Sequence, residues 1–162
     1  MAIVIKEVDI NASKDKVWHI LADIASVQIY NPGVAKSLST SEAKTGIGAS
    51  RHCDLLPMGS VEERVIEWDE GNSYKIEIFE GKMVPFLGTA LFELSESGEN
   101  THVKMTMTYE MKGGIMALLM GMMMKGKMEK TIESILVGLK HHVETGEEVS
   151  IKVYKKLSLE YA

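Results

Sequence analysis

The chain has 162 residues, 45% of them hydrophobic and 25% charged, with a formal net charge of −5. That length suits one domain with a real core, and the acidic balance argues against a nucleic-acid partner, which needs a basic face. The single cysteine, Cys53, excludes an intramolecular disulfide and suits a reducing compartment.

The start, MAIVIKEVDI, lacks the charged head, long apolar run and small-residue cleavage site of a signal peptide, so a cytoplasmic location is expected. Ala2 to Ile10 alternates apolar and charged residues and predicts a strand. Ser13 offers a helix N-cap, and Val17, Trp18, Ile20, Leu21 and Ile24 follow at helical spacing. A second short helix is expected over Ser26 to Tyr30, stopped by Asn31-Pro32-Gly33.

From Val34 the period becomes two. Strands are predicted at Val34 to Ala43, Ile47 to Leu56, Ser60 to Trp68, Ser73 to Glu80, Gly88 to Ser95 and Thr101 to Met111, with turn residues between them. The last is the clearest. It sets Val103, Met105, Met107, Tyr109 and Met111 against His102, Lys104, Thr106, Thr108 and Glu110, the pattern of an antiparallel strand with one wet face.

The stretch that organises the chain is Lys112 to Thr145. Its second half carries Met128, Ile132, Ile135, Leu136, Leu139 and Val143 at steps that describe an amphipathic helix. Its first half, Ile115 to Met124, is apolar almost all round and dominated by methionine, yet too short to span a bilayer. Three readings stay open for it: ordinary core, an adaptable wall or gate over a cavity, or an exposed patch that meets a membrane surface or a partner chain. One helix cannot cover both faces of seven strands. The sheet must curl round it and leave a pocket. The remaining EEVSIKVYKKLSLEYA reads as an added edge strand, a docking segment or a tail. The expected division is therefore a ligand-binding domain over 1–145 and a tail or edge strand over 146–162.

The stretches INASKDKVWHILADIASVQIYNP, GIGASRH, VEERVIEWDE and GTALFEL followed by GENTHVKMTMTYEM resemble the START-like superfamily, also called SRPBCC or Bet v 1-like, in its polyketide cyclase/dehydrase and lipid-transport branch. The resemblance implies an α+β helix-grip fold: a seven-stranded curved antiparallel sheet wrapped round a long C-terminal helix, two short helices after the first strand, and a deep apolar cavity. The superfamily has no universal catalytic motif to carry over. This chain shows no phosphate loop, nucleophile elbow or metal-ligand spacing, so no cofactor and no metal are expected.

Candidate site residues come from strand parity. With Val103, Met105, Met107 and Tyr109 facing inward, Tyr74, Ile76 and Ile78 do the same. For the Ile47 to Leu56 strand the less polar set is Ala49, Arg51, Cys53 and Leu55, which turns Arg51 inward and His52 outward. The next strand is ambiguous by parity, and the resemblance favours Val61, Glu63 and Val65 inward. Arg51 and Glu63 would then meet on neighbouring strands as an ion pair, either a structural bolt or the polar anchor of a pocket, the alternative being charges that reach solvent at the rim. Cys53 is expected buried and inert. Phe86, on the apolar loop Gly81 to Gly88, is expected at the cavity mouth, with Met116, Leu119, Met120 and Met124 in the wall.

The favoured function is binding or transport of a hydrophobic small molecule of lipid, polyketide-like or isoprenoid type. One alternative is a cyclase, dehydratase or isomerase of the same cavity, with Glu63 as base and Arg51 or a tyrosine as oxyanion partner. Another is a protein-interaction role for the Met-rich segment. The partners considered are the small-molecule ligand, transient contact with a membrane surface, and a second copy in a homodimer.

Overall fold

The period-two stretches all become strands of one sheet. In the computed structural model, which describes residues 1–160, β1 is Ala2–Ile10, β2 Val34–Ser39, β3 Ser50–Leu55, β4 Ser60–Asp69, β5 Ser73–Lys82, β6 Phe86–Ser97 and β7 Asn100–Met111. Helix α1, Lys14–Ala22, and a 3-10 helix, Ile24–Ile29, lie between β1 and β2; α2, Ile115–Thr145, and α3, Ile151–Glu160, end the chain. The sheet is antiparallel throughout, in the order β1-β7-β6-β5-β4-β3-β2. This is the α+β helix-grip arrangement, a curved seven-stranded sheet round a long helix.

Side-chain alternation decides which face is inner. In β7, Val103, Met105, Met107 and Tyr109 are buried, while His102, Lys104, Thr106 and Thr108 stay partly solvated. On the outer face, His52 lies between Glu62 and Asp54, and the hydrogen bond to Glu62 raises its pKa above the usual imidazole value. Against the inner face, α2 buries Met128, Ile132, Ile135, Leu136, Leu139 and Val143, the stripe that its sequence spacing describes. Gly146 ends the helix at φ 77°, its N–H donating to the His142 carbonyl.

Helix α1 closes one end of the roll. Ser13 caps it, with Oγ accepting from Lys16 N at 3.3 Å. Trp18 packs edge-on to Trp68 with ring centroids 5.0 Å apart, and Tyr74 stacks on Phe92 at 5.2 Å. Glu70 takes both indole N–H groups, at 2.8 Å from Trp18 and 2.6 Å from Trp68. That end is filled by aromatic rings, and space remains farther along β5 and β6.

Four expectations need correction. Residues 40–49 form a loop rather than strand, and Ile47 is exposed. The Gly81 to Gly88 stretch is mostly strand, with β5 and β6 leaving only 83–85 between them. The Met-rich half of α2 is no wall: Met116, Leu119 and Met120 are exposed because the helix outruns the sheet before Met128 reaches cover. Residues 151–160 are helix, not an edge strand, while Tyr161 and Ala162 lie outside the described residues. Ser150 Oγ accepts from Val153 N at 3.3 Å as an N-cap, and Leu157 is buried. Helix α3 packs back against α2, and burial together with Glu133 of α2 raises the Tyr154 hydroxyl pKa.

Candidate ligand cavity

The inner faces of β3 to β7, the 3-10 helix and the Met128 to Ile135 stretch of α2 enclose a cavity of about 130 Å³. Its lining is almost wholly apolar: Ile76, Ile78, Phe86, Ala90, Phe92, Met105 and Met107 from the sheet, and Met128, Ile132 and Ile135 from the helix. An engineered apolar cavity of similar size takes a single aromatic ring. A larger concavity of about 490 Å³ lies on the sheet's outer side, between Phe79, Gly88 and Thr108, but it is an open groove rather than an enclosed cavity.

One polar cluster interrupts the apolar lining. Arg51 and Glu63 are cross-strand neighbours of β3 and β4. They are only 5% and 8% exposed, and Arg51 Nε donates to Glu63 Oε2 at 2.5 Å. Arg51 Nη1 donates to the Ile24 carbonyl at 2.6 Å, which ties the sheet to the 3-10 helix. Cys53 Sγ lies 3.6 Å from the same Glu63 oxygen. Among the described residues, Arg51 Nη2 and Glu63 Oε1 have no hydrogen-bond partner. The pair is thus neither at the rim nor solvated, and a buried pair of this kind is held only by close geometry and extra hydrogen bonds.

Burial sets the protonation of its neighbours. It works to lower the Arg51 pKa, but the facing Glu63, with Cys53, Tyr30 and Tyr74, raises it above its ordinary value. Burial pushes the Cys53 thiol up to about 12 against the opposing pull of Arg51. Burial likewise raises the phenols of Tyr30 and Tyr74, both close enough to feel Arg51 and Glu63. These two hydroxyls approach each other, yet that of Tyr74 completes no hydrogen bond of acceptable geometry. Cys53, Tyr30 and Tyr74 are therefore protonated at neutral pH and keep their protons for donation. At pH 8 a thiol of pKa about 12 is ionised to only ~10⁻⁴, so Cys53 should resist Ellman's reagent in the native protein and react fully in urea. Rapid native labelling would place the thiol elsewhere than in this cluster.

The residues singled out in the sequence divide three ways. Arg51, Cys53, Glu63, Ile76, Ile78, Phe86, Met105 and Met107 line the cavity. Tyr74 and Tyr109 are buried beside it, and the Tyr109 hydroxyl also lacks a hydrogen bond. Met124 packs against the core, but Met116, Leu119 and Met120 point away from it. Tyr30 and Phe92 line the cavity without having been singled out. Tyr30 sits just before a turn, where no periodicity assigns it a face. Phe92 was legible, since it alternates in register with Ala90 and Leu94.

A family model described as polyketide cyclase / dehydrase and lipid transport matches residues 1–144. No curated protein matches the chain by sequence. Among solved structures, a protein from Thermus thermophilus superposes with a TM-score of 0.77 at 23% identity, over 90% of this chain and 99% of that one. A START superfamily protein from Mycobacterium smegmatis gives 0.75 at 19% identity, over 88% and 97%. Ginseng major latex-like protein 151 from Panax ginseng gives 0.66 at 14%, over 87% and 96%. At these identities the likeness is one of fold.

Proposed function

We propose that this chain, which belongs to the polyketide cyclase/dehydrase and lipid transport family, binds and carries a small hydrophobic molecule bearing one hydrogen-bond acceptor. The observation that carries this reading is the contrast inside the cavity. Apart from Asn31 and Thr131, whose side chains bond to the backbone of Gly33 and Lys127, its wall is apolar except for one buried cluster, in which Arg51 Nη2 has no partner among the described residues. Apolar walls supply affinity by burial, and a few placed donors fix orientation. A carbonyl or phenol oxygen of the guest would take the spare guanidinium N–H, while its carbon skeleton lies among Ile76, Ile78, Met105 and Met107. The present volume suits one ring or a short branched chain. A longer lipid, polyketide-like or isoprenoid guest requires the Met128 to Ile135 wall to move outward.

The catalytic reading of the same cavity has less support. Glu63 Oε2 is already engaged by Arg51 and Cys53. Cys53, Tyr30 and Tyr74 are held in their neutral forms, good for holding an acceptor and poor for taking a proton.

Native mass spectrometry of protein purified from its own host tests the proposal. The expected result is a co-purified apolar compound carrying an oxygen acceptor. Ala90 lines the cavity, so Ala90→Leu extends into existing space and should leave the fold intact. The overpacking cost of about 1–3 kcal/mol then falls on the complex, about fivefold to a hundredfold or more in affinity. Retention of the compound unchanged by Ala90→Leu would place it outside this cavity.

A further inference from the structure

We propose that the first three turns of α2, together with the adjacent Met83 loop, dock on a bilayer surface rich in anionic lipid. Ile115, Leu118, Leu119, Met120, Met122 and Met123 are all exposed, Met122 and Met123 at 87% and 81%. At 3.6 residues per turn they spread over about 200° of the helix circumference. A partner helix or a second copy covers a stripe of about 100°; a lipid surface wets a wider arc. Exposed apolar area of this extent marks an interaction site.

The charges select the kind of surface. Between Met111 and Met128 the only charged residues are Lys112, Lys125 and Lys127, and the nearest carboxylates are Glu110 and Glu129. This segment carries three positive charges and no negative one in a chain of net charge −5. Lysines flanking an apolar helix complement anionic headgroups. The apolar run Ile115 to Met124 measures about 15 Å, half the thickness of a hydrocarbon core. Among the described residues no helix is long and apolar enough to cross a membrane. The helix would therefore lie in one leaflet.

The overhang adjoins the cavity. Lys112 N donates to the Pro85 carbonyl at 2.7 Å and Lys112 Nζ to the Gly81 carbonyl at 3.4 Å, which holds the 83–85 loop beside the helix start. Met83 on that loop is 75% exposed, and Phe86 just after it lines the cavity. On α2, Met128 is the first buried residue and also a wall residue. Docking here would set the cavity's mouth against the bilayer. Docking itself needs no guest: vesicle adsorption reports on the helix, and retention of a co-purified compound reports on the cavity.

Vesicle flotation of the full chain tests the proposal, with phosphatidylcholine alone and with phosphatidylcholine enriched in phosphatidylglycerol. The protein should float with the anionic vesicles, more weakly with the neutral ones, and be released by high salt. Lys125→Gln and Lys127→Gln should each lower partitioning to anionic vesicles about fivefold and leave the neutral vesicles unaffected. Met122→Glu with Met123→Glu should abolish flotation. All four side chains are exposed, so urea midpoints should not move. Absence of flotation on either vesicle, or flotation of the double Glu variant equal to that of the parent, overturns the proposal. So does a concentration-dependent dimer that the same two glutamates dissociate, since a second copy would then cover this face.

Discussion

Arg51→Met is expected to cost about 3–5 kcal/mol of folding stability in urea titrations at neutral pH. The guanidinium is 5% exposed and bonded to Glu63 at 2.5 Å and to the Ile24 carbonyl at 2.6 Å. Methionine restores most of its volume but none of those bonds. The penalty comes mainly from what stays behind: a carboxylate 8% exposed with no counter-charge, and a carbonyl without its donor. The companion experiment separates burial from pairing. Adding Glu63→Leu to Arg51→Met removes the orphaned charge, and the double variant should recover most of the loss, because a buried pair replaced by apolar groups is often neutral in stability. Both variants should lose the guest, since both lack the Nη2 donor. Stability and retention then part company in the double variant, which separates an anchor from a structural bolt. Should Arg51→Met cost less than about 1 kcal/mol, well below the cost of breaking a buried pair, the two side chains must reach water, and the cavity loses its polar end.

How far the site was legible follows from what each pattern physically encodes. Strand parity is a strict period of two, so choosing the less polar of a strand's two faces as the inner one orients every side chain on that strand. That is how Arg51 and Cys53 came to face inward from the sequence alone, opposite His52. Glu63 needed more, because Val61, Glu63, Val65, Glu67 and Glu62, Arg64, Ile66, Trp68 are equally mixed; the resemblance supplied the face. Helical periodicity placed the Met128 to Val143 stripe for the same kind of reason. It failed for Met116, Leu119 and Met120, where every side is apolar and no face is preferred. Such a stretch says that something apolar must cover it, not that the chain itself does. The edge-strand option for the tail failed differently. Ile151 and Val153 mimic alternation over too few residues to outweigh Ser150 as a cap and Tyr154 with Leu157 at helical spacing. The pairing of Arg51 with the Ile24 carbonyl was not legible at all, since it joins a strand to a 3-10 helix across 27 positions.

Gly138→Ala should be among the most damaging single-methyl changes in the chain, costing about 3 kcal/mol or more in urea titrations. A Cβ at Gly138 would lie 2.0 Å from the Tyr30 carbonyl oxygen and 3.2 Å from its carbon. Relief requires α2 and the end of the 3-10 helix to separate by about 1 Å, against interiors packed as densely as organic crystals. The helix cannot simply lift there. Ile135, Leu136 and Leu139 around the contact are buried, and Val149 N, beyond the helix end, donates to the Ile29 carbonyl at 2.8 Å. A competing effect has the opposite sign: alanine is better than glycine within a helix by about 0.8–1 kcal/mol. Gly126 isolates that effect, because a Cβ there meets nothing within 4 Å, so Gly126→Ala should stabilise by up to about 1 kcal/mol. The same substitution twelve residues apart on one helix thus has opposite signs, and the difference measures the close approach. The functional consequence follows from what the approach positions. Tyr30 lines the cavity and lies near Arg51, so pushing its backbone away loosens the wall opposite the sheet and should lower guest retention with stability. If Gly138→Ala proved as stable as the parent, the Tyr30 backbone would not be what seats the helix, and the cavity's depth would have to be set by the sheet's curvature alone.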